Sequence, residues 1–216
     1  MKKDELLATA VEMAKRGLCP GTSGNASVRA GRGAIVTPSG LAYDLMRLGD
    51  LVEVDAEGRV VGGSRTPTSE WRLHLGIYAR RPDVHAIVHT HSMFATTWSI
   101  ARRAIPAVHY MIVLAGTNEI PCAPYAGFGT EELAEAASST LGAGKACLLA
   151  NHGLIAVGET TAQALKIATE IEIVAEQAWR AMLLGGAVVL SPAECEDAKA
   201  RFGNYGQPGR VRLRGV

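Results

Sequence analysis

The order of segments along the chain predicts a single-domain α/β protein with a mixed, largely antiparallel sheet. Three observations predict it. Stretches with helical spacing of apolar residues alternate with β-branched runs. The chain has 216 residues, the size of one compact domain, and 48% of them are hydrophobic, enough to bury a core. No internal repeat or low-complexity linker divides it, and its early part is β-rich, which favours antiparallel neighbours.

The elements follow in order. Residues 4–17 read as an amphipathic helix with Leu6, Leu7, Ala10, Val11 and Ala14 on one stripe. Two short strand-like runs, NASVRA and AIVT, lie within 24–37 and are separated by Gly31 and Gly33. Leu51–Val54 and Val60–Val61 flank Ala56–Gly58 and predict a hairpin. A helix is expected over 69–80, opened by Pro67 with the hydroxyls of Thr66, Thr68 and Ser69, and stopped by Pro82. The β-branched run HAIVHTHS follows, then a short helix over 92–101. VHYMIVL, residues 108–114, predicts a strand; 130–141 predicts a helix. KACLLANHGLIAVG predicts one strand with a polar interruption. A long helix over 161–184 and a last one from Pro192 to about Phe202 complete the chain.

The formal charge is +1, from 22 basic and 21 acidic residues. That excludes a nucleic acid or membrane surface held by bulk electrostatics. Arg201, Arg210, Arg212 and Arg214 form the one basic bias, read as a solvated tail. The first 17 residues lack a signal-type apolar core, and no run approaches the ~18 apolar residues of a membrane span. Cys19, Cys122, Cys147 and Cys195 are widely spaced, which fits reduced thiols in a cytoplasmic protein and argues against a cysteine metal site.

Six histidines occur, and His89-Thr90-His91 is the informative pair. Residues i and i+2 of a strand share a face, so two imidazoles converge there and could chelate one divalent ion. His152, between LLA and LIAV, is a polar break in an apolar run. Alone it reads first as a core histidine hydrogen-bonded to backbone; the three together favour a metal. His74 falls mid-helix, four residues after Glu70, His85 and His109 show no convergent partner, and all three read as structural. Glu70, in the first turn of a helix, is either a surface acid favoured by the helix dipole or a general acid/base beside the metal. GTSGN, TPSG and TPTS, starting at Gly21, Thr37 and Thr66, are rich in small hydrogen-bonding residues. Each alone is an ordinary turn, and none is a P-loop or dinucleotide fingerprint. Beside a metal site they suggest a phosphorylated substrate.

GTSGNASVR, TPSG, TSEWRLH, HTHS, IPAVHYMIVLAG, PYAGFGT and NHGLIAVG together resemble the class II aldolase family, the aldolase and adducin-head group. The resemblance runs from about residue 5 to 206, with the motifs in family order. It implies a three-layer α/β/α domain over 1–206 with a flexible tail, 207–216. It implies one zinc per subunit, with manganese or cobalt as substitutes, held by His89, His91 and His152. Glu70 would be the catalytic acid/base and would also ligate zinc in an empty site. Gly24, Asn25, Ser39, Gly40, Thr68 and Ser69 would hold the substrate phosphate. Tyr110 would reach a neighbouring subunit's site and serve the aldehyde oxygen. Phe128, Phe202 and Tyr205 would shape the aldehyde side. The family assembles as C4 homotetramers with sites at subunit interfaces.

The implied reaction is reversible cleavage of a ketose 1-phosphate, of the L-fuculose 1-phosphate type, into dihydroxyacetone phosphate and a small aldehyde of the L-lactaldehyde type. The same scaffold serves 5-deoxyribulose- or methylthioribulose-1-phosphate aldolases, sugar-acid phosphate decarboxylases and ribulose-5-phosphate 4-epimerases. The epimerase relatives carry aspartate where this chain has Glu70. Ser39 and Thr68 exchange one hydroxyl residue for another relative to the family pattern, Thr117 replaces a glycine, and Gln207-Pro208-Gly209 changes the tail. A non-catalytic adducin-like module is the competing reading. It predicts degraded metal ligands, whereas all three histidines and Glu70 are present.

Overall fold

In the computed structural model, residues 1–202 are described. The first half contains α1 (Lys2–Lys15), β1 (Asn25–Ala30), β2 (Gly33–Val36), β3 (Val52–Val54), β4 (Val60–Gly62), α2 (Trp71–Arg80), β5 (Ala86–Thr90) and α3 (Met93–Ile100). The second half contains β6 (Ile105–Pro106), β7 (Glu119–Ile120), β8 (Cys122–Ala123), α4 (Glu131–Leu141), β9 (Ala146–Leu149), β10 (Gly153–Gly158), α5 (Thr161–Leu183) and α6 (Pro192–Phe202). Tyr205, the expected tail and three of its arginines (Arg210, Arg212, Arg214) lie outside the described residues.

Eight strands form one sheet in the order β4-β3-β2-β1-β5-β10-β9-β8. Every neighbouring pair is antiparallel except β8 with β9. The sheet is therefore mixed and largely antiparallel, as the sequence predicts. Strand residues alternate between two apolar layers. Ala86 and Val88 of β5, and Leu154 and Ala156 of β10, face the layer built by α1, α3, α5 and α6. Ile87, Ile155 and Val157 face the layer built by α2 and α4. The result is a three-layer α/β/α sandwich.

Local chemistry explains the helices. Thr130 and Thr160 cap α4 and α5, their hydroxyls accepting from the backbone N–H groups of Leu133 and Gln163. α1 buries Leu6, Thr9, Ala10 and Met13, with Leu7 and Ala14 packed at the edge of the same cluster.

Two expectations are corrected. VHYMIVL is not a strand: Tyr110–Ala115 is a 3₁₀ helix, opened by the His109 ring accepting from Met111 N–H and closed by Gly116 at φ 75°. A short apolar run has no period that separates the two forms, and the end signals decide. KACLLANHGLIAVG is not one strand. It is a hairpin, β9 and β10, joined by Ala150, Asn151 and His152, with Gly153 paired to Leu149. The polar break is the turn.

Candidate metal centre and active-site cavity

β5 and its neighbours deliver the histidines. His89 ends the run of β5 that faces α2, paired across the sheet with Asn25 of β1 and Ile155 of β10. His91 follows just past the strand. His152 comes from the β9–β10 turn, where Asn151 takes a left-handed backbone at φ 55°. Gly153 lets β10 start against the end of β5, since a Cβ there would meet the Thr90 carbonyl oxygen at 2.2 Å. Glu70 is the residue that opens α2, and it is 95% buried, with 5% exposure.

These four side chains converge. Their ligand atoms all lie within 4.8 Å of one another. The three imidazole centroids are 4.8, 4.8 and 4.9 Å apart, with rings nearly perpendicular. Glu70 Oε2 lies 3.0 Å from His89 Nε2, and Oε1 lies 3.4 Å from His152 Nε2. The electronic state of His89 follows from its other nitrogen. Nδ1 lies 3.0 Å from the Leu154 carbonyl oxygen, so Nδ1–H donates there and Nε2 is the atom left to face Glu70 or, once deprotonated, a cation. Nε2 also lies 3.0 Å from His91 Nε2. Glu70 Oε1 is buried and accepts no hydrogen bond. Imidazole lone pairs and an unsatisfied carboxylate oxygen aimed at one point are the donor set a divalent cation needs, so these residues fit a metal.

The electrostatics agree. Burial alone would raise the Glu70 pKa, but the charge and hydrogen bond of His89, the charge of His152 and the Asn25 amide outweigh it and hold the group well below the carboxylate range. Burial opposes charge on His89, but the Glu70 carboxylate prevails and raises its pKa. Burial, then the neighbouring imidazoles, push His91 and His152 down to about 4. Both are neutral near pH 7, the form that ligates metal.

Above the cluster opens a cavity of about 300 Å³. Gly24, Asn25, Ser39, Gly40, Thr68 and Ser69 all line it, together with Glu70, His91, His152 and Phe128. The TPSG and TPTS segments meet through Ser39 N–H to Thr66 O and Thr68 N–H to Thr37 O, both 3.0 Å. Gly24, at φ 73°, admits no side chain: a Cβ would lie 2.6 Å from Cys19 Sγ and 2.7 Å from the His89 carbonyl oxygen.

The structure does not bring every expected residue to this cavity. Tyr110 is 51% exposed and stacks between His109 and Phe202 in a separate groove. Within one chain, Tyr110 and Phe202 thus stand together and apart from Glu70. Tyr125 and Asn151 line the cavity, and sequence reasoning gave neither a role. His85 is exposed and His109 caps the 3₁₀ helix, both consistent with structural roles. His74 is fully buried and bonds Asn25 and Ser27; its place four residues after Glu70 was the sequence signal that tied it to the site.

A family model described as the class II aldolase and adducin N-terminal domain matches residues 4–179. The chain belongs to the class II aldolase family. It is a lyase of the metal-dependent aldolase type. A 5-methylthioribulose-1-phosphate/5-deoxyribulose-1-phosphate aldolase of Rhodospirillum rubrum is 46% identical over 206 residues, 95% of this chain and 93% of that protein. An L-fuculose phosphate aldolase of Escherichia coli (strain K12) is 42% identical over 203 residues, 94% of each chain. A solved structure of L-fuculose 1-phosphate aldolase superposes with a TM-score of 0.90 at 37% identity, covering 94% of this chain and 96% of that one.

Proposed function

We propose that this class II aldolase uses zinc to cleave a ketose 1-phosphate reversibly into dihydroxyacetone phosphate and a small aldehyde. The convergence of Glu70, His89, His91 and His152 at the floor of a hydroxyl-lined cavity carries the reading. Nitrogen-rich sites with one carboxylate favour zinc, and manganese or cobalt would fit the same donors. When bound, the ion supplies Lewis acidity that stabilises negative charge developing on the substrate oxygens.

The chain's own residues do the rest. Ser39, Thr68 and Ser69, with the backbone at Gly24 and Gly40, hold the phosphate by hydroxyl and N–H donation. Asn25 adds its amide. Remote binding of the phosphate orients the reacting carbons. Glu70 takes a proton from, or returns it to, the dihydroxyacetone phosphate carbon that forms or loses the bond. Phe128 walls the aldehyde end. Tyr110 and Phe202 act in a neighbouring subunit's site of a C4 homotetramer, Tyr110 serving the aldehyde oxygen; the half-exposed Tyr110, stacked on the partly buried Phe202 away from Glu70, supports this. The catalytic domain spans residues 1–206.

The aldehyde separates two readings. The L-fuculose type uses L-lactaldehyde. The 46%-identical relative supports a second, a 5-deoxyribulose or methylthioribulose 1-phosphate, whose aldehyde, acetaldehyde or its methylthio derivative, lacks the hydroxyl of lactaldehyde. A kinetic panel of aldehydes with dihydroxyacetone phosphate and zinc decides between them. Glu70→Gln should lower ketose phosphate formation by about 10²–10⁴-fold. Unchanged rates in that variant would remove Glu70 from the chemistry.

A further inference from the structure

β1 and α2 share a row of buried polar side chains that an ordinary core would not contain. Four residues of helix advance about 6 Å and two residues of strand about 6.7 Å. The i, i+4, i+8 series Glu70, His74 and Tyr78 therefore keeps step with the i, i+2 series Asn25 and Ser27. Glu70 Oε2 accepts from Asn25 Nδ2 at 2.9 Å. Asn25 Oδ1 lies 2.5 Å from His74 Nε2. His74 Nδ1 lies 2.7 Å from Ser27 Oγ, and Ser27 Oγ lies 2.8 Å from Tyr78 Oη. All five residues are at most 5% exposed.

The charge on Glu70 sets the direction of every proton in this row. A carboxylate only accepts, so the Asn25 atom facing it is the amide nitrogen. Asn25 then offers only its oxygen to His74, so His74 Nε2 carries the hydrogen and Nδ1 accepts. Ser27 spends its single proton on Nδ1, and Tyr78 donates to Ser27. Without a donor at His74 Nε2, the buried Asn25 oxygen has no partner, and only the carboxylate itself is left to orient the amide.

We propose that His74 is a positioning residue: held as the Nε2–H tautomer between Ser27 and Asn25, it locks the Asn25 amide and through it aims Glu70 at the reacting carbon. The proposal rests on the proton-transfer role given to Glu70 above. Leu73 and Ile77 beside it show that an apolar side chain is easily accommodated on this helix. A histidine in a fully buried place is the costlier choice unless its hydrogen-bonding direction is needed.

Two measurements on the full-length, zinc-loaded protein test it. Long-range ¹H–¹⁵N spectra of histidine-labelled protein, with His74 assigned from the signals lost in His74→Gln, should show an Nε2–H tautomer. An Nδ1–H tautomer overturns the proposal, whatever the substrate proves to be. Kinetics form the second test. His74→Leu should lower kcat by about tenfold or more, the scale of lost orienting partners, with KM changed less than about threefold. His74→Gln places an amide N–H where Nε2–H stood and should restore kcat to within about threefold of the parent. A folded His74→Leu with unaltered kcat, or a His74→Gln as impaired as His74→Leu, overturns the idea. If His74→Leu fails to fold, Ser27→Ala, which frees Nδ1, should show the kcat loss instead, and an unchanged kcat there overturns it equally. A parent protein that cleaves no ketose 1-phosphate would sink the reading of the function, while the tautomer still judges His74.

Discussion

Asn151 shows how one backbone conformation aims a ligand. Its φ of 55° turns the chain between β9 and β10 so that His152 faces Glu70. Asparagine tolerates the left-handed region better than other residues with a Cβ, and here Arg102 Nε donates to its Oδ1 at 2.8 Å. Asn151→Gly should keep both the turn and metal binding. Asn151→Val should destabilise the protein by about 1–2 kcal/mol, the cost of a β-branched residue in that region, and weaken zinc retention against a chelator. Equal zinc affinity in both variants would disconnect the turn from the site. His152 was legible in the sequence as a polar break that needed a reason. The turn itself was not, because two apolar tetrads around three residues read as one strand until pairing shows a hairpin. His89 and His91 were legible more directly, since strand alternation alone puts both on one face.

Among the elements, those with a strong period or a clear start were readable: α1, α4 and α5 fall where the spacing of apolar residues puts them, and α2 and α6 where Pro and hydroxyl starts put them. The 3₁₀ helix after His109 was not, because its apolar run suits a strand equally well and the ring that caps it gives no motif. The start of α3 was readable, but its anchor was not. Glu172, 80 residues further on in α5, accepts from Ser92 Oγ at 2.6 Å and from the N–H groups of Phe94 and Ala95 at 2.7 and 2.8 Å. A carboxylate there satisfies donors that a helix start leaves open and complements its dipole. It also pins the segment that immediately follows His91. Glu172→Ala should cost about 2–3 kcal/mol in denaturant unfolding, given charged hydrogen bonds of about 1.5–3 kcal/mol that overlap in one group. A loss under about 0.5 kcal/mol would mean water replaces the carboxylate without penalty.

At the scale of the whole molecule, the sheet's mixed character followed from segment order and its three layers from the family resemblance, but the polar row between β1 and α2 followed from neither. It depends on the register of a strand against a helix from a distant part of the chain, and no local pattern encodes that register. The row has a global consequence in acid. Burial, more than the pull of Glu70 can offset, pushes the His74 pKa down to about 3 from an ordinary 6.5. Between those values the unfolded chain binds a proton that the folded chain refuses. Stability therefore rises with pH through this window and falls as pH drops from about 6.5 toward 3. Glu70 adds to the fall only lower down: its folded pKa is depressed, so its contribution is complete above its usual 4.5 and is lost as pH drops below it. His74→Gln removes the first effect and leaves the second. Urea unfolding of the metal-free protein at pH 7 and pH 5 should show the parent losing more stability than His74→Gln over that interval. Parallel losses would mean that His74 takes up its proton without unfolding, through an opening of the β1–α2 layer that the packed structure does not contain.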